Sequence, residues 1–197
     1  MLKKTIPLLA LTAITTFNAS AAEKLEPFIG VDIGTRLSGN FESSYDESKT
    51  ETDLADSLAF GIEGGVTLNE AHQISVGYDY RGTTEEHTSD DLEVGTIYTK
   101  YNYLVPITQK LAWTVGGKLG YEKFYADFDA DDFNGLVIGG QTGLNYRFNT
   151  WSVGTELSYL HHTNEFERKW SESGTQHTTS AKIGDEVLLM ANIKYNF

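Results

Sequence analysis

The stretch DEVLLMANIKYNF, residues 185–197, alternates with a period of two. Val187, Leu189, Ala191, Ile193, Tyr195 and Phe197 share one face, and Glu186, Leu188, Met190, Asn192, Lys194 and Asn196 share the other, because successive side chains of a strand point to opposite sides. One face is apolar and the other mostly polar, and the apolar face runs out to the terminal aromatic residue. In water such a strand is a sticky open edge. In a closed barrel surrounded by lipid every backbone group is paired and the apolar face has its solvent.

Seven further segments repeat the pattern. Their apolar faces carry Ile29, Val31, Ile33 and Leu37; Leu58, Phe60, Ile62, Val66 and Leu68; Ile74, Val76, Tyr78 and Tyr80; Ile97, Thr99, Tyr101, Tyr103 and Val105; Trp113, Val115, Leu119, Tyr121 and Tyr125; Leu136, Ile138, Leu144, Tyr146 and Phe148; and Trp151, Val153, Leu157 and Tyr159. The opposite faces hold glycines and ionic groups. Connections alternate between short turns (69–71, 106–109, 149–150) and long polar stretches (39–56, 82–92, 126–134, 164–184). An even number of strands of about 10 residues with this alternation predicts an all-β fold: an eight-stranded antiparallel up-and-down transmembrane β-barrel with a polar, side-chain-filled interior. The short turns then face the periplasm and the long loops the exterior.

Aromatic placement agrees. Tyr101, Tyr103, Trp113, Tyr146, Phe148, Trp151, Tyr195 and Phe197 fall at strand ends beside the short turns, and Tyr78, Tyr80, Tyr121, Tyr125 and Tyr159 at the opposite ends. Amphipathic rings favour these two membrane–water boundaries.

Composition bounds the rest. Lys3 and Lys4, an apolar run from Ile6 to Phe17, and Ala19, Ser20, Ala21 and Ala22 have the order of a secretory signal peptide. Cleavage after Ala22, or after Ala21, predicts residues 1–22 as signal and 23–197 as one barrel domain. The run is too short to anchor a helix in a bilayer, and a mean hydropathy of −0.33 leaves no helical span elsewhere. There is no cysteine, so disulfides, thiolate metal sites and a Cys nucleophile are excluded. The net charge of −13, or −15 once Lys3 and Lys4 leave, opposes nucleic acid binding.

The inward positions include Asp32, Glu63, Asp79, Glu122, Glu156 and Glu186 with Arg36, Arg81, Lys100, Lys118, Arg147 and Lys194. An eight-stranded barrel is only wide enough to be filled by side chains, and buried charges need partners. Six acids facing six bases predict a plug of ion pairs. The rival reading is a narrow ion path gated by a partner switch.

Two stretches invite chemistry. His161 and Thr163 share the outward face of the seventh segment, where an imidazole could take a hydroxyl proton for attack on an ester. With Asn164 they are similar to the His-x-Ser-Asn motif of lipid A deacylases, themselves eight-stranded outer-membrane barrels. Thr163 stands in place of the Ser, and the continuation through Glu167 departs from that family; a pair of interfacial histidines is the simpler reading. Asp127, Asp129 and Asp131 suggest calcium, but an EF-hand loop needs Gly at its sixth position and Glu at its twelfth, where Asp132 and Ile138 stand. A solvated acidic loop is expected there, and no cofactor is implied.

Terminal Phe197, with Tyr195 two residues before it and Ile193 before that, resembles the closing-strand signature of bacterial outer-membrane proteins. The eight alternating segments extend the likeness over residues 23–197, which resemble the small barrels of the OmpA, OmpX and opacity-protein kind. The resemblance implies location in the cell outer membrane. It implies a mostly non-enzymatic role in adhesion or envelope integrity through the outer loops, without the peptidoglycan-binding domain that OmpA carries. Expected partners are outer-membrane lipid and lipopolysaccharide, the barrel-assembly machinery through the C-terminal strand, and a host or surface ligand at the loops, with the protein a monomer.

Overall fold

The computed structural model describes residues 24–46, 48–54, 57–84, 91–125, 134–172 and 175–197. Twelve strands follow in chain order: β1 (Leu25–Ser38), β2 (Asn40–Tyr45), β3 (Ser48–Asp53), β4 (Leu58–Leu68), β5 (His72–Thr84), β6 (Asp91–Pro106), β7 (Leu111–Tyr125), β8 (Gly135–Phe148), β9 (Trp151–His162), β10 (Glu165–Glu172), β11 (Thr175–Ile183) and β12 (Glu186–Asn196). The predicted signal segment lies outside the described residues.

Eight strands close an antiparallel barrel in the order β1-β12-β9-β8-β7-β6-β5-β4. The opening stretch closes it: β12 pairs with β1 through Val31 opposite Ile193 and with β9 through Ile193 opposite Val153. Burial is inverted relative to a water-soluble protein. Ile62, Ile97 and Leu58 are 62%, 64% and 63% exposed, whereas Arg36 and Arg81 are 1% exposed. The period-two pattern sends the aliphatic row outward on every barrel strand, which suits a solvent of hydrocarbon.

The inner ends close tightly. β4 turns into β5 through Asn69 and Glu70, both left-handed (φ 52° and 59°), and the Ala71 amide donates to the Leu68 carbonyl oxygen at 3.1 Å. Two consecutive positive φ values define the primed turn whose twist matches a hairpin. Between β8 and β9, Asn149 takes the same conformation (φ 56°). Between β6 and β7, the Thr108 hydroxyl oxygen accepts from the Lys110 and Leu111 amides at 3.2 and 3.0 Å.

The outer end differs from the sequence expectation. The first and fourth long stretches, read as loops, fold as a four-stranded sheet in the order β10-β11-β2-β3. β2 pairs with β11, Phe41 opposite Ile183, so this sheet continues the β1–β12 wall beyond the bilayer. The Gly184 amide donates to the Asn40 carbonyl oxygen at 2.8 Å across the junction. Phe41 packs at its base on Leu54, Val94, Phe124 and Ile183, an apolar cap over the outer mouth. Polar composition masked these strands, since both of their faces lie outside lipid. The second loop also shortens, because β5 runs to Thr84 and β6 starts at Asp91.

Candidate functional site

The lumen has an upper and a middle ionic layer. Near the outer mouth, Arg36 Nε donates to Glu186 Oε1 at 2.7 Å and its Nη2 lies 2.6 Å from the same oxygen. Arg81 reaches three groups: Nη2 to Glu122 Oε1 at 2.5 Å and Glu186 Oε2 at 2.8 Å, and Nη1 to the Thr96 hydroxyl at 2.9 Å. His162 completes the layer, with Nδ1 2.7 Å from Glu122 Oε2 and Nε2 3.2 Å from Glu186 Oε2. The guanidinium fork suits this closure, because five fixed donors serve several carboxylate oxygens at once.

In the middle layer the cations are lysines. Lys100 bridges Glu63 and Glu156 at 3.1 Å each. Lys194 lies 2.7 Å from Glu63 and donates to the Gln73 side-chain oxygen at 2.9 Å. Lys118 pairs with Asp79 and lies 3.9 Å from the centre of the buried Tyr98 ring, a cation–π contact.

Two corrections to the sequence reading follow. Arg147 is not part of the buried network: its side chain is 37% exposed at the inner rim, where Nη1 lies 2.5 Å from Glu26. It sits only one residue from the end of β8, so the rim and its water are within reach. Asp32 is buried (7% exposed), and its Oδ2 has no hydrogen-bond partner among the described residues. The interior is also not uniformly polar. Val137, Leu160 and Leu188 form an apolar patch in the lumen, filling space that the paired charges leave.

The network member that sequence reasoning missed is His162. Its signal was parity, since it continues the inward row of Glu156, Ser158 and Leu160.

The outward pair does not assemble. His161, 61% exposed at its side chain, has Nδ1 2.7 Å from Asp185 Oδ1, and the Tyr159 hydroxyl donates to the other Asp185 oxygen. The Thr163 hydroxyl is turned away to the Leu136 carbonyl oxygen at 2.9 Å. No hydrogen bond joins His161 to Thr163 among the described residues, so the geometry supplies an orienting acid without a nucleophile. Asp185 and Glu186 thus take adjacent histidines on opposite sides of the wall. The Asp185 carboxyl is held below its ordinary value by the Tyr159 hydroxyl and then by His161, against the opposing effect of burial. Asp127, Asp129 and Asp131 lie outside the described residues, and no metal-ligating cluster occurs among the described ones.

The inner aromatic row lies on the lipid face. Tyr101, Tyr103, Trp113, Tyr146, Phe148 and Trp151 are all exposed outward, and Phe197 most of all. Tyr195 is half-buried, packed edge-on between Trp151 (5.1 Å) and Phe197 (5.0 Å). The Tyr101 hydroxyl and His72 Nδ1 are 2.8 Å apart, and Trp113 Nε1 donates to Thr142 at 2.7 Å. These two rings have their polar ends satisfied beside the turns.

Charge separates along the chain. Stretches 39–57, 82–93, 126–134 and 163–185 hold nineteen Asp or Glu and four Lys or Arg, whereas the rest of 23–197 holds nine of each. The whole negative surplus falls within those four stretches of the sequence.

Three solved structures share the fold. Neisserial surface protein A is 15% identical with a TM-score of 0.57, over 87% of this chain and 97% of its own. OprG of Pseudomonas aeruginosa is 12% identical with a TM-score of 0.57, over 90% and 96%. The outer membrane protein AlkL, solved in lipid bilayers, is 16% identical with a TM-score of 0.53, over 92% and 95%. No curated protein sequence is a match to the chain. The family profile described as outer membrane protein beta-barrel domain matches residues 7–164, and with the inverted, lipid-facing wall it places the protein in the outer membrane. The chain belongs to the outer membrane protein beta-barrel domain family.

Proposed function

We propose that the protein is a non-conducting surface-binding barrel that meets its ligand with the outer sheet β10-β11-β2-β3. The observation that carries this reading is that the two long stretches flanking the β1–β12 seam form one ordered sheet on an apolar base. Ordering a surface before the ligand arrives lowers the entropy cost of binding. Loops on a rigid scaffold are also where recognition concentrates. With nineteen acids against four bases in the four long stretches, the ligand surface is basic, and affinity falls as salt rises. Adhesion to cells and upkeep of the envelope are the two settings in which such a surface acts. Lipid and lipopolysaccharide surround the wall, and the C-terminal strand engages the assembly machinery.

The test replaces 41–52 and 165–182 by short turns and measures binding of expressing cells to host cells or a basic ligand. Heat-modifiable gel migration checks that the barrel is intact. Binding is expected to be lost, and unchanged binding at every salt concentration sinks the reading. In a planar bilayer no discrete openings are expected, since charged and apolar side chains occupy the lumen. For ester hydrolysis the expected result is equally flat: lipid A mass profiles of wild-type and His161→Ala cells match those of cells without the protein.

A further inference from the structure

The middle layer of the lumen does not balance. Asp32, Glu63, Asp79 and Glu156 face Lys100, Lys118 and Lys194. Every lysine is taken by one of the last three acids. Asp32 is left over, 7% exposed, with Oδ2 sealed and no basic side chain within ion-pair distance among the described residues.

Its surroundings leave room. On the rung of β1 that carries Asp32, the next strand has Gly61 and the one after it Asp79. A Cβ built on Gly61 would meet Asp79 Oδ1 at 2.5 Å and Asp32 Oδ2 at 3.3 Å, so the two acids converge over the glycine. On the other side, Asn192 is in register with Asp32 but turns its buried, unpartnered Oδ1 away, toward Gly154 of β9, so it supplies Asp32 with no donor. Asp32 lines a cavity shared with Asp79, Tyr98, Lys100, Lys118 and Glu156, with room for a guest the size of one water.

An uncompensated carboxylate in such a place costs several kcal/mol. An unpaired, buried Asp32 oxygen that leans toward the Asp79 carboxylate beside a cavity asks for a positively charged donor or a hard cation, and hard cations prefer oxygen ligands. Two ammonium groups on the cavity wall limit the guest to one charge. A divalent ion would leave the layer with a surplus of positive charge.

We propose that the Asp32 cavity is a lumenal site for one monovalent cation, an alkali ion or a proton, which neutralises the middle layer. The site is independent of the outer sheet and of any ligand bound there. Above it lie the Val137–Leu160–Leu188 patch, the arginine layer and the apolar cap. Below it Lys194 lies 4.9 Å from the ring centre of buried Phe28. The guest is a fixed part of the plug.

The test uses the protein refolded into lipid vesicles in sodium, potassium or choline chloride at equal ionic strength, at pH 8 and pH 5.5. Thermal midpoints are compared for wild type, Asp32→Asn and Gly61→Ala. If the guest is an alkali ion, the wild-type midpoint at pH 8 is a few degrees higher in sodium or potassium than in choline. Both variants lose that difference, one by losing the charge and the other by wedging a methyl against the Asp79 and Asp32 carboxylates. If the guest is a proton, the salts are equivalent, and wild type gains stability from pH 8 to 5.5 while Asp32→Asn does not. Glu63, Asp79 and Glu156 also face this cavity or its lysines, so a pH response that Asp32→Asn retains belongs to them. Equal midpoints in all salts with a pH response shared by wild type and Asp32→Asn overturn the proposal. Should Asp32→Asn fail to refold, Asp32→Ser, which also removes the charge, carries the same comparison in the salt and pH series.

Discussion

The two ionic layers of the lumen solve one problem with different chemistry. In the upper layer two arginines and His162 surround Glu122 and Glu186, and each carboxylate has several donors. In the middle layer three lysines serve three of four acids, and Asp32 is left without a partner. Planar forks close the upper network within itself, whereas the three ammonium groups, even with Lys100 bridging two acids, leave a fourth acid over. Being buried and being paired are therefore separate properties of an interior charge.

The same chemical change in each layer gives the sharpest contrast. Glu186→Gln removes the partner of Arg36, Arg81 and His162 together and is expected to cost about 3–5 kcal/mol. Asp32→Asn, one layer lower, is expected to cost nothing at neutral pH. Guanidinium unfolding in vesicles, followed by tryptophan fluorescence, measures both, and equal losses would erase the distinction between the layers. Next is Arg81→Lys, which keeps the charge but loses the fork. A loss of about 2–3 kcal/mol is expected, the worth of one charge-assisted hydrogen bond or slightly more. A neutral result would mean that charge alone holds the upper layer.

His162→Gln keeps one donor of the two and is expected to cost about 1–2 kcal/mol, with the outer sheet loosening first in hydrogen exchange because Glu186 begins the strand beneath it. The smallest effect belongs to the outward clasp. Asp185→Asn is expected to cost less than about 1 kcal/mol, since the pair with His161 is exposed and screened. Its pH dependence has a fixed sign. The Asp185 carboxyl is depressed in the folded protein, so its contribution is fully present above the ordinary value of 3.8 and is lost as pH falls through the lower folded value. The wild-type advantage over Asp185→Asn in a pH titration should vanish at the acid end, and an advantage that grows there contradicts the assignment.

Much of the barrel was legible because lipid imposes a strict code. Period-two alternation in the eight segments fixed which residues face out, and Ile62, Ile97 and Tyr121 lie where the pattern put them. The outer sheet was not legible. Outside the bilayer no hydrocarbon demands an apolar row, so a strand such as SKTETD, exposed along its whole length, shows none.

Sequence alone determined the eight strands of the barrel, which side chains in its wall face lipid, most of the inward set of charges and the excess of acid in the long stretches, because parity along a strand is a local property. Only the tertiary structure decided which charges meet. It sent Arg147 to Glu26 at the rim, brought His162 into the arginine layer, gave His161 to Asp185 rather than to Thr163, and left Asp32 alone. Pairing depends on the stagger between strands far apart in the chain and on how far each side chain reaches across the lumen. No single strand encodes that distance.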